Sequence, residues 1–271
     1  MANKKYRRVL SIAGTDPSGG AGIQADLKAF SACGCYATTA ITAVVDQNTQ
    51  GVKAVHPLPV DFVKGQITSV LDDIGTDAIK IGMLHSSELI LGIKETLQKY
   101  NIQNIVLDPV MVATSGDTLL QQEAIATLKK ELIPLVRVLT PNLPEAEILL
   151  GKKIENQEDF PAIAKKLASM YNVSVLLKAG HLKGDELIDV FYNNETDETV
   201  FLPSKRVYTP NTHGTGCTFS SALAAFLTYD ISMNEAVQKA KEYMIAVIDA
   251  GATYEIGKGH GPVHHFFKFW D

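Results

Sequence analysis

The stretch Asn211-Thr212-His213-Gly214-Thr215-Gly216-Cys217-Thr218-Phe219 runs a polar, glycine-bearing turn into an apolar, alanine-rich segment, residues 220–228, of helical character. The first amides of such a helix have no intrahelical acceptor, and its dipole attracts negative charge, so they can face an anion. Gly214 and Gly216, on either side of Thr215, let the backbone approach with no Cβ in the way. Cys217 stands at the mouth of this anion hole, where a helix N-terminus favours the thiolate and a base or nucleophile would act. A tight turn with a buried structural cysteine fits the same residues, and the stretch alone leaves both readings open.

Other polar residues share one placement, just after an apolar run. Asp108-Pro109-Val110-Met111 follows residues 105–107, and a carboxylate there suits a hydrated Mg²⁺. Thr140-Pro141-Asn142-Leu143-Pro144-Glu145 makes the same transition. Asn142 and Glu145, three apart, match an N-cap and a first-turn acid, and Glu145 is also read as lying beside Mg²⁺ and phosphate. Lys178 ends an apolar run at Ala179-Gly180-His181; an ammonium is costly to bury without an anion, which favours a phosphate contact. Residues 14–22 are glycine-rich but lack the Lys-Ser/Thr pair of a Walker loop and the G-x-G-x-x-G register, so they read as a substrate-side loop. Asp26, one helical turn beyond Gly22, either looks back toward the site or is a solvated helix carboxylate. An anion hole, two acids for a metal, a lysine and a potential base are the equipment of phosphoryl transfer to a small-molecule hydroxyl.

These residues need a scaffold that brings strand ends together. Strand-like runs at residues 9–13, 36–45, 52–56, 78–81, 105–107, 136–140 and 173–177 alternate with helical patterns at 59–71, 86–100, 121–131, 144–150 and 160–171. A late hairpin is expected across residues 186–192 and 199–202, then two helices, then a glycine- and histidine-bearing tail at 257–265 that reads as a surface loop. Such alternation predicts an α/β fold with a mostly parallel sheet covered on both faces, and right-handed crossovers put the strand C-termini on one edge. The 271 residues, 46% hydrophobic and 20% charged, suit one large α/β domain over 1–271. A net charge of -5 gives no basic excess for a nucleic-acid partner. Cys33, Cys35 and Cys217 are odd in number and lack metal-ligand spacing, which suits a reducing compartment. No run reaches membrane-spanning length and no secretory pattern opens the chain, so the expected address is the cytoplasm, with no membrane partner.

Taken together, the runs 13–26, 47–49, 80–84, 108–111, 140–145 and 214–217 resemble the bacterial hydroxymethylpyrimidine/phosphomethylpyrimidine kinases of thiamine biosynthesis, in the vitamin-kinase branch of the ribokinase-like superfamily. The resemblance spans residues 10 to about 250. It implies a ribokinase-like three-layer α/β/α fold, ATP and Mg²⁺ as cofactors, and two successive phosphorylations, of hydroxymethylpyrimidine and then of its monophosphate. It places Gln47 on the pyrimidine, where an amide offers both donor and acceptor, with Gly14 giving a backbone contact, Met83 packing on the ring and Asp26 near the substrate. It gives Lys178 and Asn142 to the ATP phosphates, Asp108 and Glu145 to Mg²⁺, and Gly214, Thr215, Gly216 and Cys217 to the transferring phosphoryl group, with Cys217 in the base position. Many sugar kinases of the superfamily carry aspartate there. Family members commonly form dimers, so a homodimer is expected by analogy. One departure is Thr114, where relatives often carry lysine in a loop thought to close over the site; the lid cysteine of related pyridoxal kinases is replaced by Ala113. The enzymatic rival is a pyridoxine/pyridoxal kinase, and the rival of another class is a non-catalytic vitamin-precursor sensor that keeps the pocket without turnover.

Overall fold

The computed structural model describes residues 4–111, 122–180, 182 and 184–270. An eight-stranded sheet in the order β10-β9-β8-β7-β6-β5-β1-β2 forms its centre, built from β1 (Arg8–Ala13), β2 (Tyr36–Ile41), β5 (Ala78–Ile81), β6 (Ile105–Leu107), β7 (Val138–Leu139), β8 (Ser174–Leu177), β9 (Glu186–Asn193) and β10 (Glu198–Lys205). The six strands from β2 to β8 pair in parallel, and β9 pairs antiparallel with both β8 and β10. The parallel strands are short apolar runs because both faces are covered. Alternate residues feed two cores: Leu10, Ile79, Leu107, Leu139 and Val175 face one side, and Val9, Ala78, Val106, Val138 and Leu176 face the other.

On the first face pack α2 (Val60–Asp73), α3 (Ser87–Leu97), α4 (Gln122–Thr127), α5 (Leu143–Leu150) and α6 (Phe160–Tyr171). On the second pack α1 (Gly22–Ala32), α7 (Thr215–Phe226) and α8 (Met233–Gly251). The result is the expected three-layer architecture. The segment after α4 winds as one π-turn over Leu128–Leu132 instead of continuing as α-helix. Residue 121, the positions of Ala113 and Thr114, and His181 lie outside the described residues.

The run 36–45 is not one strand. It breaks at Thr42, whose amide donates to Ala13 O (2.9 Å) and whose hydroxyl donates to Met83 O (3.0 Å). The chain then leaves the main sheet as β3 (Ala43–Asn48), which pairs antiparallel with β4 (Gly51–Pro57) in a separate two-stranded hairpin. Thr and Ile populate the first piece and Val the second, all of them strand formers, so propensity gives no signal of the break. The tail also differs from a surface loop. It is exposed through most of residues 253–260, but Val263, His264 and His265 are buried.

Candidate active site

Backbone bonds carry the site residues past the ends of the parallel strands. Gly82 N donates to Ile12 O (2.9 Å), Asp108 N to Ile81 O (2.9 Å), Thr140 N to Leu107 O (2.9 Å) and Lys178 N to Pro141 O (3.0 Å). Gly14, Met83, Asp108, Asn142 and Lys178 therefore meet along one sheet edge, where a cleft of ≈ 740 Å³ opens.

One end of the cleft is apolar. Val45 of the hairpin packs with Ala43 and Met83, and a Cβ on Gly14 would lie 2.7 Å from Met83 Cε. Gln47, on the same hairpin, is part-exposed and lines this end. Burial of Ala43 and Val45 against exposed Val44 and Asp46 turns the hairpin's alternate residues toward the cleft.

The opposite wall is the loop entering α7. Gly214 is its N-cap at φ 77, and any Cβ there would sit 1.7 Å from Gly20 O, so only glycine fits. Thr215, Gly216 and Cys217 line the cleft. Gly216 approaches Asp108 and Lys178 so closely that a Cβ would be 3.5 Å from Asp108 Oδ2 and 3.4 Å from Lys178 Nζ. The helix N-terminus, the lysine and the acid thus share one spot.

Asp108 is 2% exposed and accepts from Lys178 Nζ (2.8 Å), Thr140 Oγ1 (3.2 Å) and Ser220 Oγ (3.4 Å). Burial works against its charge, but Lys178 and Lys80 outweigh this and hold its pKa below the usual carboxylate range. For Lys178 burial is likewise opposed by Asp108 and Glu145, and its pKa rises. Asn142 caps α5 by accepting from the Glu145 amide (3.0 Å), and Glu145 Oε2 accepts from the Asn142 amide (2.8 Å). The expected capping box is formed, and both residues also line the cleft. Burial pushes Glu145 up to about 7, with Asp108 adding and Lys178 opposing.

Cys217 departs from the expected thiolate. It keeps some exposure to the cleft, but the atoms crowding its sulfur push the thiol up to about 11. Lys80 and the Gly22 amide favour the thiolate, while Asp26 and Asp108 oppose it. Local helix-dipole reasoning misses this, because the burial comes from residues distant in sequence.

Asp26 is not a solvated carboxylate, and it is not among the residues that line the cleft. It is fully buried beneath the cleft floor and paired with Lys80 at 2.9 and 3.0 Å. It also accepts from Ser11 Oγ (2.5 Å) on β1 and Ser221 Oγ (2.7 Å) on α7. α1 directs residue 26 inward onto β1 and β5, a direction that spacing from Gly22 does not reveal. Lys80 lines the cleft yet was absent from the sequence-derived site. Its signal was present: a lysine inside the apolar run Ala78-Ile79-Lys80-Ile81 needs a buried partner.

The glycine-rich loop is more than a substrate-side turn. Asp16, fully buried, accepts from the amides of Ser18 (2.8 Å), Gly20 (3.0 Å) and Ala21 (2.7 Å), and His213 Nε2 lies 2.7 Å from its Oδ2. Burial disfavours its charge, but His213, Ser18 and the Ala21 amide hold the carboxyl well below the usual range. The loop therefore folds around its own acid and is tied to the anion-hole turn. The cleft is also lined by Leu187, Val207, Met244 and Ile248 together with the charged Lys205, Arg206 and Lys241, none of which a sequence motif marks.

The pattern of the phosphomethylpyrimidine kinase family matches residues 16–264. The hydroxymethylpyrimidine/phosphomethylpyrimidine kinase of Escherichia coli (strain K12) is 46% identical over 98% of this chain and 100% of its own length. The chain belongs to the phosphomethylpyrimidine kinase family. Among solved structures, the phosphomethylpyrimidine kinase of Clostridium difficile 630 is 44% identical with a TM-score of 0.78, covering 89% of this chain and 99% of that one. The pyridoxal kinase of Staphylococcus aureus, in complex with AMP-PCP and pyridoxal, is 34% identical with a TM-score of 0.88, covering 98% and 96%.

For a family member of this kind the donor set at the cleft floor fits Mg²⁺. Asp108 and Glu145 are hard oxygen donors, and both line the cleft. Among the described residues no group of three or more His, Cys, Asp or Glu closes a metal cage, so an ion held by Asp108 and Glu145 would take most of its shell from water and phosphate. Among the described residues, no helix is long and apolar enough to cross a membrane.

Proposed function

We propose that this chain is an ATP-dependent kinase that phosphorylates 4-amino-5-hydroxymethyl-2-methylpyrimidine and then its monophosphate, in thiamine biosynthesis. The observation that carries this reading is the two-ended cleft. Gln47, Met83 and Gly14 lie at one end, and Asp108, Lys178 and the Gly214–Cys217 turn lie opposite.

The ring packs against Met83 beside the Gly14 backbone, with the Gln47 amide on its polar edge. Lys178 and the first amides of α7 take the charge of the transferring phosphoryl group. Asp108 and Glu145 would hold hydrated Mg²⁺, which neutralises phosphate charge when bound. The hydroxyl oxygen forms the new P–O bond as the bond to ADP breaks. Cys217 orients that hydroxyl. Because its thiol is pushed up to about 11, little thiolate is present near neutral pH to take the proton, which leaves late, to an oxygen of the transferred phosphoryl group, as expected for a loose transition state. A homodimer is adopted with this reading by family analogy alone, and the cytoplasmic location on the sequence pattern alone.

A second reading, a pyridoxal kinase, is favoured by the structural likeness to the Staphylococcus aureus enzyme, since both substrates are flat rings bearing a hydroxymethyl group. The higher identity to the Escherichia coli pyrimidine kinase supports the first. ADP release by purified protein with Mg²⁺ and ATP separates them. Faster turnover of hydroxymethylpyrimidine than of pyridoxal supports the proposal; the reverse order moves the chain to the second reading.

A further inference from the structure

The tail segment 257–262 is the part of the chain that the phosphoryl-transfer reading leaves unused. Its first half grips the tip of the β3–β4 hairpin. Thr49 Oγ1 accepts from the amides of Lys258 (3.2 Å) and Gly259 (3.1 Å), and Thr49 O accepts from the His260 amide (2.8 Å). A Cβ on Gly259 would lie 2.0 Å from Thr49 O, so this approach needs glycine. Its second half grips the anion-hole loop. The His213 amide donates to Gly261 O (3.0 Å), and His213 forms a β-bridge with Pro262. His213 directly precedes Gly214, the cap of α7.

The base of the hairpin is held elsewhere. Thr15 N donates to Ala43 O (3.0 Å), and Val45 N donates to Thr15 Oγ1 (3.0 Å). Between that anchor and Gln47 the pairing register shifts, at Asp46/Gln47. Such an irregularity bends a strand and weakens the mechanical link along it, and a two-stranded hairpin is marginal alone. Gln47 lies on the tip side of the shift, two residues from Thr49.

We propose that Thr49 and the 257–260 turn are positioning elements, latching the hairpin tip so that Gln47 is held at a fixed distance from the Gly214–Cys217 loop. The inference rests on the reading of Gln47 as the pyrimidine contact. One short tail segment thereby sets the spacing between the ring end and the phosphoryl end of the cleft.

The test uses the full chain with Thr49→Val, Thr49→Ser and Gly259→Val. Hydrogen–deuterium exchange over residues 43–57 reads the latch without any substrate. KM for hydroxymethylpyrimidine and for ATP reads its consequence. Thr49→Val and Gly259→Val are expected to speed exchange in the hairpin and raise the pyrimidine KM about tenfold, with the ATP KM unchanged. Thr49→Ser, which keeps the acceptor, restores both. Unchanged hairpin exchange in Thr49→Val overturns the latch, and so does an equal rise in the ATP KM. If the wild type turns over no pyrimidine, the functional reading fails while the exchange data still decide the latch.

Discussion

The buried pair Lys80–Asp26 offers a demanding test of how the anion hole is held in place. Both side chains are fully buried, and Asp26 joins four elements through Lys80 on β5, Ser11 on β1, Ser221 on α7 and its own helix α1. Burial works against the Lys80 ammonium, but Asp26, Cys217 and Asp108 outweigh it and raise its pKa above the ordinary lysine value. Lys80→Met strands the Asp26 carboxylate in the core, which costs about 3–5 kcal/mol. At about 2–4 °C of Tm per kcal/mol for a protein near this size, the loss is about 6–20 °C. Asp26→Asn in the Lys80→Met background removes the stranded charge while leaving hydrogen-bonding atoms for Ser11 and Ser221. The double variant is therefore expected to regain more than half of the loss, a coupling of about 2 kcal/mol or more. Thermal denaturation of the wild type, both single variants and the double variant completes the cycle. Losses that simply add, to within about 0.5 kcal/mol, would refute the pairing argument.

The remaining predictions concern the cleft. A Glu145 pKa raised to about 7 means that the folded state binds a proton the unfolded chain has already released, so the metal-free protein loses stability as pH rises from the ordinary carboxylate value through 7. Denaturation across pH 5–8 is expected to show that loss in the wild type and a flatter profile in Glu145→Gln, with Mg²⁺ stabilising the wild type more at pH 8 than at pH 6; identical profiles would remove Glu145 from the metal site. Gln47→Ala is expected to raise the pyrimidine KM about ten- to a hundredfold with little change in the ATP KM, and an unaltered pyrimidine KM in steady-state assays would contradict its role. Cys217→Ala is expected to lower kcat about a hundredfold while pyrimidine affinity by calorimetry stays within about threefold; equal losses in both would make the residue a binding contact.

The sequence made the scaffold legible where one local rule decided the outcome. Short apolar strands alternating with helices gave the layered sheet, and the three-residue spacing of Asn142 and Glu145 gave the capping box. The shared position of Gly14, Met83, Asp108, Asn142 and Lys178 just after strands gave the cleft. What escaped depends on contacts between distant segments. Asp26 meets Lys80 across 54 positions, and Asp16 meets His213 across 197. Neither partner is implied by its neighbours in sequence. The Cys217 ionisation escapes local reasoning in the same way: the helix terminus is local, but the burial that outweighs it is not. The tail looked like a loop because glycine and histidine are common in loops. Its glycines instead admit the close approach of Thr49.

The most direct measurement is mass spectrometry of the product formed by purified protein, ATP and Mg²⁺ from hydroxymethylpyrimidine monophosphate. The two-ended cleft predicts the diphosphate with one ADP released per product. Binding of the monophosphate without phosphoryl transfer, while pyridoxal is converted to its phosphate, would contradict it.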